Sequence, residues 1–205
     1  YFQQACQSLA LGRAAEAEQA FRAILGAEPR HAGSLHMLGV AALQSGRPVD
    51  ALPWFDRAIG ADAAHAQAHA DKAHALLALG RPDAAEASAR TALRHKRNSA
   101  EARQALGRAL ADQGRIDEAL AEYREAARLN PRLPDIRNDM GMALADASRL
   151  DEAIAELEAA ARLMPGDPLT EGNLAGALKE RGRLDEAERL YRGIDRKSTR
   201  LNSSH

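Results

Sequence analysis

The sequence predicts an all-α protein, an α-solenoid of six stacked helix–turn–helix units with the first and last incomplete. Three observations predict it. The dipeptide Gly-Arg falls at Gly12-Arg13, Gly46-Arg47, Gly80-Arg81, Gly114-Arg115 and Gly182-Arg183, spaced by 34 residues or a multiple of it, and Ser148-Arg149 holds the remaining phase. A second register carries alanine in every copy: Ala17, Ala51, Ala85, Ala119, Ala153 and Ala187. Finally, aromatic residues make up only 3% of the chain while Ala, Leu, Glu and Arg abound, which favours helix over strand. A period of this kind marks a repeat array, in which each unit buries its apolar face by stacking on its neighbours.

The elements follow in order. The units are placed at 1–31, 32–65, 66–99, 100–133, 134–167 and 168–194. In each, a first helix ends at the turn glycine, which takes a positive φ without strain. A second helix begins just after it. Asp117-Glu118, Asp151-Glu152 and Asp185-Glu186 place negative charge at the positive end of these second helices. Pro29, Pro131 and Pro165 stop the second helices. Pro48 suits a helix entrance, whereas Pro53 is expected to distort the first turn of that helix. Gly39, Ala73, Gly107, Gly141 and Ala175 keep the first helix slim where the second approaches it, and the alanine register does the same from the other side. Phe55, Tyr123 and Tyr191 are expected to fill the wider gaps between neighbouring helices. The third unit departs most, with Lys72 for leucine, Ala89 for the aromatic and Arg97 for proline, and is expected to be the loosest joint. The unit at 100–133 is the cleanest copy and is expected to be the best formed.

These motifs together, Leu-Gly early in the unit, then alanine with an aromatic four residues on, then proline, resemble the tetratricopeptide repeat from Tyr1 to Ile194. The resemblance implies a right-handed superhelix whose first helices line a concave groove that grips an extended peptide or a partner's helix. It places His36, Val40, His74, Gln104, Arg108, Asn138, Met142 and Lys179 in that groove. Some family members hold a peptide's terminal carboxylate with Lys, Asn and Arg; here Asp112 and Asp146 interrupt Arg108 and Asn138, so that clamp is not reproduced. Others carry an asparagine ladder that bonds peptide backbone. The matching positions are Met37, Asp71, Ala105, Asp139 and Asn173, of which only Asn173 fits.

The remaining chemistry is sparse. There is no phosphate-cradling glycine loop, no His-Glu-x-x-His and no nucleophile elbow, so the chain itself is read as no enzyme and no cofactor is implied. His65 and His69 are four residues apart and His74 five further on, which supplies at most a pair of ligands on one helix, so no metal site is expected. His36, His65 and His74 are placed toward the groove and His69 nearer the helix packing. Cys6, the lone cysteine, excludes a disulfide framework, reads as a small apolar packing residue, and fits a reducing, cytoplasmic compartment. Arg94-His95-Lys96-Arg97 is a basic cluster that suits a helix C-terminus. A formal net charge of -1 gives no general attraction to nucleic acid or membrane. No apolar run approaches the ~18 residues of a span. Trp54 is read as packing near the outer surface under a neighbouring loop.

The expected function is therefore a protein–protein interaction scaffold. The rival is a substrate-recruiting front end: the segment at 31–52 resembles repeat arrays preceding the catalytic domain of bacterial O-linked N-acetylglucosamine-transferase-like glycosyltransferases or sulfotransferases. The chain opens at Tyr1 in mid-pattern, which leaves room for an upstream segment. Residues 195–205, DRKSTRLNSSH, break the repeat and resemble translated sequencing-adapter read-through, so they are expected to be a non-native tail without order. The second helix of the last unit is accordingly expected to stop near Ile194, leaving an uncapped end open to weak self-association.

Overall fold

In a computed structural model, residues 1–131 and 134–202 are described, with the side chains of 134 and 197–202 excepted. They form twelve α-helices and no strand among the described residues. In chain order these are α1 (Phe2–Ala10), α2 (Ala14–Ala27), α3 (Ala32–Gln44), α4 (Pro48–Ala61), α5 (Ala66–Ala78), α6 (Pro82–His95), α7 (Ala100–Asp112), α8 (Ile116–Leu129), α9 (Pro134–Asp146), α10 (Leu150–Leu163), α11 (Pro168–Glu180) and α12 (Leu184–Asn202). The solenoid of helical hairpins that the period predicts is the fold observed. The chain divides into two compact units, Tyr1–Gln113 and Gly114–His205, and the division falls inside the cleanest repeat, at the turn between α7 and α8.

The turns have one design. At the end of α1, Gly12 takes φ +76. Its N–H donates to the Leu9 carbonyl at 3.0 Å, and the Arg13 N–H donates to the Ser8 carbonyl at 2.9 Å. These are the paired bonds of a Schellman motif, which satisfy carbonyls the helix leaves open. The same pair recurs after α3, α5, α9 and α11. After α9 the left-handed residue is Ser148, at φ 59, and it still makes both bonds, each at 2.8 Å.

The small-residue positions permit close helix approach. A Cβ added to Gly39 would stand 2.5 Å from Phe55 Cε1, and one on Gly141 would stand 2.6 Å from Leu157 Cγ. Phe55, Leu157, Phe21 and the alanines of the second register from Ala17 to Ala153 are fully buried. In the first unit, Ala5, Leu9, Ala17, Phe21, Leu38 and Ala41 form one cluster across α1, α2 and α3. In the second, Ile154, Leu157, Leu174, Ala175, Leu178 and Ala187 do the same across α10, α11 and α12.

Three details bear on the sequence reading. The substitutions in the third repeat leave its core covered: Ala73, Ala85, Ala89 and Ala92 are all fully buried. Its Lys72 donates to Asp56 at 2.6 Å. α4 runs through Pro53, which is exposed. α12 continues past Ile194 to Asn202, since residues 195–202 contain neither Gly nor Pro to stop it. The last residues of the expected tail, 203–205, lie outside the described residues.

Candidate binding face

The first helices carry the candidate face, and the starts of α3, α5, α7 and α11 are fixed by side-chain caps. Ser99 caps α7 by accepting from the Ala102 N–H, and Asp167 caps α11 by accepting from the Thr170 N–H. That bond holds the Asp167 carboxyl below its usual range. In the same register stand two histidines. His31 Nδ1 accepts from the Ser34 N–H at 3.0 Å, and His65 Nδ1 accepts from the Ala68 N–H at 3.3 Å. An imidazole can do this only when that nitrogen is unprotonated. Burial, then the neighbouring His36, pushes the His65 imidazole below its ordinary pKa, while Asp62 pulls the other way. His65 is thus a cap at the start of α5 and not a free groove residue. The sequence offered a signal for this: the cap phase reads His31, His65, Ser99 and Asp167, two of them standard caps.

One residue beyond the repeat period, the first helices are joined side chain to side chain. His36 Nε2 donates to Asp71 Oδ2 at 2.7 Å, tying α3 to α5, and Gln67 also donates to Asp71. Asn173 Nδ2 donates to Asn138 Oδ1 at 2.9 Å, tying α11 to α9. Both pairs are 35 residues apart. His36 is 7% exposed, with its ring against Phe55 and His65. It is therefore a link between repeats and not an open contact. Asp71 and Asn173, two of the ladder positions, spend bonding capacity on the neighbouring helix.

The other candidates divide between the units. In the first, Val40 is half-buried and packs against apolar clusters on both sides, His74 and Gln104 are half-buried, and Arg108 is exposed. In the second, Asn138 is half-buried, while Met142 and Lys179 are exposed. The exposed candidates are thus Arg108 in one unit and Met142 and Lys179 in the other, beside half-buried polar groups.

The other sequence candidates also have definite places. Cys6 is half-buried among apolar side chains and its thiol is pushed up by that burial, so it is not poised as a thiolate. His69 stacks on His95 and lies 3.2 Å from the Ala63 carbonyl. Trp54 is half-buried against the clusters that Leu25 joins, with the Arg57 guanidinium 4.8 Å from its ring centroid. Among the described residues no group of three or more His, Cys, Asp or Glu converges as a metal site, and no helix is long and apolar enough to cross a membrane.

A solenoid of helical hairpins with a glycine turn, a small-residue register and a polar row along its first helices defines a class of repeat proteins. Family models described as tetratricopeptide repeat match residues 2–66, and 42–109 together with 144–199; a third, described as TPR repeat, matches 107–147. The chain belongs to the tetratricopeptide repeat family. No curated protein matches it. Among solved structures, TTC0263, a thermophilic TPR protein of Thermus thermophilus, is similar at TM-score 0.74 and 24% identity, covering 86% of this chain and 96% of that one. YrrB, described as a TPR protein with an unusual peptide-binding site, gives 0.60 at 20% identity, covering 86% and 91%. A chain of the APC/C hetero-tetramer Cut9–Hcn1 gives 0.86 at 13% identity, covering 94% of this chain and 38% of that one. At these identities the likeness concerns the fold.

Proposed function

We propose that the chain is a protein-interaction scaffold that binds an extended peptide or a partner's helix along the first helices of its repeats. The observation that carries this reading is the pair of side-chain ties, His36 to Asp71 and Asn138 to Asn173, which pin neighbouring first helices while Arg108, Met142 and Lys179 stay exposed. A face fixed before its partner arrives loses little ordering entropy on binding. YrrB, of like fold, is described as having a peptide-binding site, which supports the same use here.

The test is an array of immobilised peptides probed with the intact chain, followed by affinity measurement on the best binder. Met142→Glu and Lys179→Glu, both in the second unit, are each expected to change that affinity by about tenfold, because a few contacts dominate binding. Two variants that bind like the unchanged chain would place the contact elsewhere and sink this reading.

A further inference from the structure

The exposed face of α6 carries a cluster of basic residues apart from the row of first helices. The repeat supplies its own control. Arg94, Arg128 and Arg162 occupy one register near the ends of α6, α8 and α10. In α8, Arg128 pairs with Glu125 of its own helix at 2.7 Å, and in α10, Arg162 reaches Glu158 at 4.0 Å. In α6 those two acidic positions hold Thr91 and Arg90. Among the described residues Arg94 accordingly donates to the Thr91 hydroxyl alone, at 2.8 Å. Arg97 stands where three other repeats carry proline, and Lys96 precedes it. Among the described residues no carboxylate pairs with Arg94, Lys96 or Arg97, all of them exposed; Arg90 alone has one, Glu86 at 2.6 Å.

Arg90 and Arg94, four residues apart, share one face of α6, and Arg97 follows just past the helix end. With Ala87, Thr91 and Leu93 the three arginines line a single open cavity of about 670 Å³. A favourable helix dipole accounts for a cation in the last turn, and α8 and α10 have that too. It does not account for the absence of an acidic residue at both positions in α6: the arginine a turn earlier is shared with α8, where Arg124 stands in the register of Arg90, but α8 keeps Glu125 beside it. We propose that this face binds an acidic peptide segment of a partner protein. Arginine forks are matched to carboxylates, and the small Ala87 and Thr91 leave room for a chain to lie against the helix.

The experiment is fluorescence anisotropy with a labelled oligo-glutamate peptide, its oligo-glutamine counterpart and an oligothymidylate, all on the full chain. The glutamate peptide is expected to bind, the glutamine peptide not to bind, and the affinity to fall as ionic strength rises. The double variant Arg94→Glu/Arg97→Glu should weaken binding by at least about tenfold, as removal and reversal of facing charges does. Thr91→Glu restores the internal partner that α8 has; it should weaken binding several-fold while leaving the melting temperature unchanged or higher. That variant separates loss of the site from loss of the fold. Arg162→Glu, a charge change of the same kind on α10, should bind as the unchanged chain does. Wild-type affinity in both α6 variants, no binding of the glutamate peptide at millimolar concentration, or tighter binding of oligothymidylate than of glutamate would each overturn the proposal.

Discussion

Ser148 carries the one positive φ outside glycine among the described residues. The turn accommodates the strain because it still makes both Schellman bonds and because Arg149 beyond it is held by Glu152 and Asp117. A left-handed conformation costs a non-glycine residue about 1–2 kcal/mol, and glycine offsets part of that gain by its freedom when unfolded. Ser148→Gly is therefore expected to stabilise the second unit by about 0.5–1 kcal/mol, read as a raised denaturation midpoint at unchanged slope. A lowered midpoint would mean that the serine side chain holds the turn. The residue scale was also where the sequence was easiest to read. Gly39 and Gly141 could be assigned to close helix approach because a missing side chain has one consequence, whatever surrounds it.

At the scale of the element, the caps of the first helices differ in whether they titrate near neutral pH: His65 does, whereas Ser99 does not. The His65 imidazole is held below its usual pKa in the folded chain, mainly by burial. The unfolded chain then binds the proton more readily than the folded one. Stability is whole above the ordinary value of 6.5 and declines as pH falls through it toward the lower folded value. His69, lowered by its own burial, adds in the same direction. The cap is lost with the proton, since Nδ1 can no longer accept from Ala68. Hydrogen exchange at about pH 7.5 and about pH 5.5, either side of the ordinary histidine pKa, should show α5 losing protection at the lower value. His65→Ser should flatten that difference by keeping a cap that does not titrate there. Equal pH dependence in the variant would assign the effect to another group. By sequence His65 is placed toward the groove, although its phase with Ser99 and Asp167 carries the signal of a cap. Only the ring's position beside the Ala68 N–H and against His36 makes it a cap.

For the whole molecule, the governing fact is that each hairpin is stable only through the hairpins it touches. A local defect should then fade along the chain. Gly39→Ala drives a methyl into Phe55 and is expected to cost about 1–3 kcal/mol in the first unit, as overpacking of a filled core does. Gly172→Ala, where an added Cβ meets nothing within 4 Å, should instead gain up to about 1 kcal/mol from helix propensity. Amide exchange of the Gly39→Ala protein should be fastest in α3 and α4 and close to normal in α10 and α11. Uniform loosening from end to end would show one cooperative block instead.

The sequence by itself determined the period, the helices, the turns and the positions where backbones approach. Each of these depends on a local preference or on the absence of a side chain, and the repeat states it several times over. Tertiary structure alone decided which polar groups are tied to a neighbouring helix. The ties from His36 to Asp71 and from Asn138 to Asn173 span one residue more than the period, so no single repeat contains them. It also decided that the core of the third repeat stays covered despite its substitutions, and the lack of any breaker carried α12 through to Asn202. The basic run ending α6 was visible as letters, but its meaning came from comparing pairs across helices. Arg128 and Arg162 have an acidic residue in their own helix to meet, and Arg94 has none, because whether a charge is satisfied depends on what folding brings within reach of it.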